Sequence, residues 1–162
     1  MRWIKYIVGA LLLLSFEFII SQQPKKINFK VNLKSVEHYG MGLKNSTVSV
    51  YTDGILTDSI FSKKKSITIS LSSNHIYKIT FSKKNYATKH VIINTIDVPS
   101  KKRLKIKADI SLFRPKKEWE IDFLNYEPVS IASYNFLKKK LVWDFDYNRS
   151  VVEKIILATI KK

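Results

Sequence analysis

Apolar and polar residues alternate along most of this chain. The clearest run is Leu104, Ile106, Ala108, Ile110 and Leu112, interleaved with Lys105, Lys107, Asp109 and Ser111. A period of two gives one buried and one wet face, which is the mark of a half-buried strand. The same alternation occurs in Ile27, Phe29, Val31 and Leu33, in Val48 and Val50, in Ile67, Ile69 and Leu71, and in Tyr77, Ile79 and Phe81. Segments 55 to 61 and 87 to 94 bring the total to about seven short strands, and Asp53-Gly54 is the tight-hairpin signal between two of them. Strands this short with regular turns predict an antiparallel, immunoglobulin-like β-sandwich rather than a parallel sheet.

The rhythm changes at Arg114-Pro115-Lys116-Lys117, where a proline and charges interrupt it, and a subdomain boundary is expected there. Beyond it, Ile121 with Phe123, Val129 with Ile131, and Leu141, Trp143 and Phe145 predict two or three further strands, including a β-hairpin. Ser150-Val151-Val152-Glu153 reads as a capping box. Val151, Val152, Ile155, Ile156, Thr159 and Ile160 then form a stripe at helical spacing, so a short C-terminal helix is expected to lie on the sandwich. With Lys154, Lys161 and Lys162 the same stripe could instead rest on a membrane surface.

The start of the chain differs from all of this. Met1-Arg2-Trp3-Ile4-Lys5 is a short basic beginning, Ile7 to Leu14 is unbroken apolar sequence, and Ile19-Ile20-Ser21 ends on a small residue. That layout predicts a secretory signal peptide over residues 1–21, and hence an exported protein that is periplasmic, in the outer envelope or secreted. The alternative is an uncleaved anchor over residues 3–20, although Lys5 and Glu17 leave a charge-free stretch shorter than the roughly 20 residues of a usual span. The expected organisation is therefore signal peptide 1–21, sandwich 22–115 and C-terminal extension 116–162. The chain has no cysteine, so no disulfide can staple an exported domain and its apolar core must suffice.

Charge is unevenly spread. Residues 22–117 hold 20 bases and 5 acids, a net +15, whereas residues 118–146 hold 3 bases and 6 acids, a net −3. If successive strands alternate in direction, the links after the first, third, fifth and seventh emerge at one end. Those links carry Lys44, then Lys63, Lys64 and Lys65, then Lys83 and Lys84, then Arg114, Lys116 and Lys117. With Tyr39 and Tyr86 nearby, such a pole could hold an anionic envelope glycan or a lipid headgroup, because clustered charge concentrates polyanions. Lysines in loops also keep sheet edges from pairing, which is the competing reading.

A second cluster is acidic. Glu118, Glu120 and Asp122 would share one strand face and Asp144 with Asp146 another. Were those strands paired, five carboxylates would meet, to be neutralised by neighbouring lysines or to take calcium.

Thr47-Val48-Ser49-Val50-Tyr51-Thr52-Asp53-Gly54, Ile67-Thr68-Ile69-Ser70-Leu71, Tyr77-Lys78-Ile79-Thr80-Phe81-Ser82-Lys83-Lys84-Asn85-Tyr86 and Val91-Ile92-Ile93-Asn94-Thr95 together resemble the carboxypeptidase regulatory-like domain over residues 27 to 113. The resemblance implies a transthyretin-like β-sandwich of exported bacterial envelope proteins, with a scaffold or binding role and no peptidase activity. Where that family commonly has glycine before the tyrosine of the second turn, this chain has Asn85, which best replaces glycine in a left-handed conformation.

Enzyme signatures are not found. His38, His75 and His90 form no HExxH or other ligand spacing, no serine lies in a GxSxG elbow, and no helical pattern follows Gly40-Met41-Gly42 to make a phosphate cradle. Neither catalytic nor metal nor cofactor residues are assigned. Export and the scarcity of arginine disfavour nucleic acid as a partner. Asn45-Ser46-Thr47 and Asn148-Arg149-Ser150 match the glycosylation pattern, and the bacterial setting that the resemblance implies makes both chance matches. The expected role is a non-enzymatic envelope or surface module. It would pack on another envelope protein through a sheet edge or the aromatics Trp119, Tyr126, Tyr134 and Phe136, or alternatively bind polyanions at the lysine pole. Membrane contact is expected only through an uncleaved N-terminal segment or the C-terminal helix.

Overall fold

The computed structural model describes residues 26–99 and 103–160. The expected signal peptide over residues 1–21 lies outside the described residues. Each of the seven expected segments of the body is a strand: β1 (Ile27–Ser35), β2 (Ser46–Thr52), β3 (Ile55–Ser62), β4 (Ser66–Leu71), β5 (Ile76–Ser82), β6 (Lys89–Asn94) and β7 (Lys105–Leu112). Two more follow, β8 (Ser130–Asn135) and β9 (Lys140–Trp143), before a helix α1 (Phe145–Ile160).

The strands form two sheets, one in the order β4-β1-β7 and the other β3-β2-β5-β6-β8-β9. The apolar set of each inner strand faces the opposite sheet, with Ile27, Phe29, Val31 and Leu33 of β1 all at 0% exposure. Phe29 meets the Trp143 ring edge-on at 6.1 Å, across from the far end of the larger sheet. Cutting such a buried ring back to alanine costs about 3–5 kcal/mol. The protein is a mainly β sandwich with a C-terminal hairpin and helix.

Pairing registers fix the strand directions within each sheet, and the Ala87 N–H bond to the Phe113 carbonyl sets the start of β6 beside the end of β7, so the chain reverses direction at every strand in turn. One consequence corrects the purely antiparallel expectation. Strands of like parity that become neighbours must run parallel, and two pairs do: β1 with β7, and β6 with β8. The β2–β3 hairpin turns at Asp53 (φ 50°) and Gly54 (φ 87°), the paired positive angles that a tight hairpin needs. Asn85 adopts φ 67°, the left-handed conformation expected of it.

The segment after Pro115 extends the larger sheet through β8 and β9, and Leu124, Val129, Ala132, Leu141 and Val151 join the same core cluster as Phe29. Two expectations fail there. Ile121 and Phe123 do not make a strand: residues 113–121 form a loop, and a single 3-10 turn spans Asp122–Asn125. The Leu124 N–H bonds to the Ile121 carbonyl, so these residues follow a three-residue turn and Leu124 becomes the one buried there. The helix also begins earlier than the capping box suggested. The Asp144 carboxylate accepts the Tyr147 N–H at 3.0 Å, while Ser150 lies within the helix and donates to the Tyr147 carbonyl at 2.8 Å. Asp caps as well as Ser does. The earlier start lets Tyr147 and Asn148 donate to the Pro128 and Val129 carbonyls and so tie α1 to the sheet. Of the expected stripe only Val151 is buried, joined by Ala158, and Val152, Ile156 and Ile160 are exposed. No described helix is long and apolar enough to cross a membrane.

Candidate functional site

Strict alternation places the links β1–β2, β3–β4, β5–β6 and β7–β8 at the same end of the sandwich, and hydrogen bonds tie them together. The Leu33 N–H donates to the Lys65 carbonyl at 2.8 Å, Val36 to Leu112 at 3.0 Å and Ala87 to Phe113 at 2.8 Å. Lys83 Nζ reaches across to the Lys44 and Asn45 carbonyls at 2.7 and 3.1 Å. A Cβ on Gly42 would stand 2.8 Å from Lys65 Cβ, so the first two links touch without room for a side chain. Arg114 stacks over the Tyr86 ring at 5.4 Å, and its N–H bonds to the Glu37 carboxylate.

This end therefore carries Lys44, Lys63, Lys64, Lys65, Lys83, Lys84, Arg114, Lys116 and Lys117, all exposed except the half-buried Lys83. Among the described residues none of these nine cations forms an ion pair. The acids in the same links are Glu37, Glu118, Glu120 and Asp122, with Glu127 engaged by Lys154 at 2.5 Å. Burial works against ionisation of Glu37. Hydrogen bonds from Arg114, from its own N–H and from the Ser35 hydroxyl outweigh that and hold its carboxyl below the ordinary range.

A cleft of about 260 Å³ opens beside the pole, lined by Ala87, Pro115, Lys116, Lys117, Trp119 and Asn125 among others. Trp119 packs edge-on against Phe113 at 5.7 Å, with Lys116 over its ring at 5.6 Å.

The other sequence candidates are dispersed. Glu118 and Glu120 lie in the loop, Asp122 in the 3-10 turn, Asp144 at the helix cap and Asp146 in the first turn of α1, so the expected five-carboxylate face does not form. Its two strands were to be paired, and the first does not exist. Among the described residues no group of three or more His, Asp or Glu is placed to hold a metal ion. His75 pairs with Asp53 at 2.6 Å at the opposite end of the sandwich, and that hydrogen bond, with one from the Ile76 N–H, lowers the Asp53 pKa. His90 is buried, which depresses its pKa along with the Lys78 charge, against hydrogen bonds to the backbone of Leu124 and Tyr126. Of the four tail aromatics, Tyr134 and Phe136 meet edge-on at 5.3 Å. Trp119 and Tyr134 pack on the core, while exposed Tyr126 and Phe136 stand before the start and after the end of β8.

One residue escaped the sequence reading. Lys89, at the start of β6, points between the sheets at 8% exposure and donates to the Ser111 carbonyl of β7 at 2.7 Å. Burial lowers its pKa from an ordinary 10.5 to about 8. The available signal was parity, because Lys89 shares the face of Val91 and Ile93, both fully buried.

No family model matches this chain, and no curated protein matches it.

Proposed function

We propose that this chain is an exported, non-enzymatic module of the cell envelope that holds an anionic glycan at its cationic pole. The observation that carries the reading is the meeting of four links at one end with nine cations, none of which forms an ion pair among the described residues. The cleft beside Lys116 and Lys117 supports a glycan in particular, since Trp119 offers a sugar an aromatic wall and Asn125 a hydrogen-bonding amide. The early sequence supports export, and the alternation, the Asp53-Gly54 turn and Asn85 support a module of the carboxypeptidase regulatory-like kind.

Polygalacturonate against neutral dextran tests the pole. The anionic polymer should bind, weaken as salt rises from 50 to 500 mM on the scale of charge screening, and leave dextran unbound. Equal binding of both polymers would sink the reading. For export, intact mass of protein recovered from fractionated native cells should give a species beginning near Gln22 outside the cytosol, and full-length cytosolic protein would refute it.

A second reading, packing against another envelope protein, is favoured by β3. This edge strand exposes Ile55, Leu56 and Phe61, an apolar edge that sheets usually blunt. Sedimentation with envelope extracts of wild-type and Phe61→Lys protein separates the two, since only the edge contact should be lost in the variant.

A further inference from the structure

Between the free edge of β7 and helix α1 runs a groove of about 400 Å³. Its apolar walls come from Ala108 and Ile110 of β7, Val129, Trp143, and Val152 and Ile155 of α1. Trp143 is fixed there by donating to the Lys107 carbonyl at 2.8 Å. Lys89 lines the same groove, with its Nζ 4.7 Å from the Phe113 ring centroid. An ammonium has three donors, and the Ser111 carbonyl takes one. Among the described residues no carboxylate pairs with Lys89. The acid of the lining, Asp109, is held by Lys34 at 2.5 Å and Asn32 at 2.8 Å. Lys107, the other cation of the lining, is exposed.

A buried cation without a counter-ion is costly, and apolar walls beside it do nothing to offset that. A ligand that brings its own anion on an apolar body answers both. We propose that the groove binds an apolar monocarboxylate of the fatty-acid kind, with its carboxylate on Lys89 and its chain along Trp143, Val152 and Ile155. The volume lies within the roughly 300–1,000 Å³ of small-molecule sites. This inference does not depend on the pole.

Sodium decanoate, below micelle-forming concentrations and in 300 mM salt to keep it off the exposed lysines, is titrated calorimetrically into the full chain at pH 7. One site is expected, with affinity rising about fourfold per methylene from octanoate to decanoate. Lys89→Met should weaken decanoate at least tenfold and leave 1-decanol unchanged. Val152→Glu, at an exposed position of the wall, should weaken both. No binding of decanoate to the wild-type chain overturns the proposal, as does undiminished decanoate binding to either variant. Binding of a short apolar peptide with a free C-terminus but not of decanoate would also overturn it, giving the groove to a protein chain end.

Discussion

Lys44, Lys63 and Lys64 stand exposed at the pole, and among the described residues none of them forms an ion pair. Lys89 belongs to the same sandwich, yet it lies between the sheets at 8% exposure with one carbonyl for a partner. The two kinds of lysine carry the same formal charge and owe it to opposite balances. At the pole the charge faces water and acts outward, through salt-sensitive attraction. Inside, desolvation opposes ionisation, and the charge survives at neutral pH only because the remaining pKa, about 8, is still above it. The difference teaches that location in the fold, and not residue type, decides whether a lysine is a sensor of salt or of pH.

The largest break in that contrast is Lys89→Met. Lowering the pKa from 10.5 to about 8 corresponds to roughly 3 kcal/mol against the charged native state. The sign follows from proton counting. Between about pH 8 and 10.5 the unfolded chain holds a proton at this residue that the native one has released, so stability rises with pH there. The variant should be about 2–3 kcal/mol more stable than wild type at pH 7, with the gap closing by about pH 10.5, as read by urea unfolding at both values. A variant less stable at pH 7 would mean that the Ser111 hydrogen bond and the Phe113 contact outweigh desolvation.

Replacing the exposed Lys44, Lys63, Lys64, Lys84 and Lys117 by glutamine tests the other side. Five exposed contacts at roughly 0.2–1 kcal/mol each should cost polyanion affinity about tenfold or more, with the melting temperature nearly unchanged. Lys83 is left in place because it holds the first and third links together. Loss of folding in this variant would show that the pole is structural.

Gly42→Ala should cost about 1–3 kcal/mol through overpacking, because the new Cβ meets the stem of Lys65 near the backbone, where it cannot swing away. The loss should appear in urea unfolding together with weaker polyanion binding, since the first two links are forced apart.

Glu37→Gln is the smallest, below about 1 kcal/mol. Its native pKa is depressed, so its contribution is present above the unfolded value and fades as pH falls through the native one. Wild type and variant should converge in acid unfolding, and a constant gap down to pH 2 would contradict the ionised state.

The lysines of the pole were legible because they lie in links, and alternation of strand direction was enough to send those links to one end. Lys89 was missed because a lysine on a strand is ordinarily taken for its wet face, and only its parity with Val91 and Ile93 says otherwise. The failure at Ile121 and Phe123 has a related cause. Two apolar residues two apart fit a strand, but they fit a turn equally well when Leu124 is the one that finds the core. Likewise Ser150 looked like a cap, yet Asp144 follows β9 directly, and the bonds of Tyr147 and Asn148 to the sheet require the helix by then.

Within the described residues, sequence alone determined the seven strands of the body, the buried face of β1, β2, β4, β5 and β7, the Asp53-Gly54 hairpin and the left-handed turn at Asn85. These are properties of neighbours two or three positions apart, and alternation or a favourable backbone angle records them locally. Tertiary structure decided the rest: that β7 would lie beside β1 and β8 beside β6 in parallel, that Gly42 would meet Lys65, that five acids would scatter, and that Lys89 would face a groove. Each of those depends on which distant surface completes the burial of an apolar face, and no local pattern names its partner across the gap between two sheets.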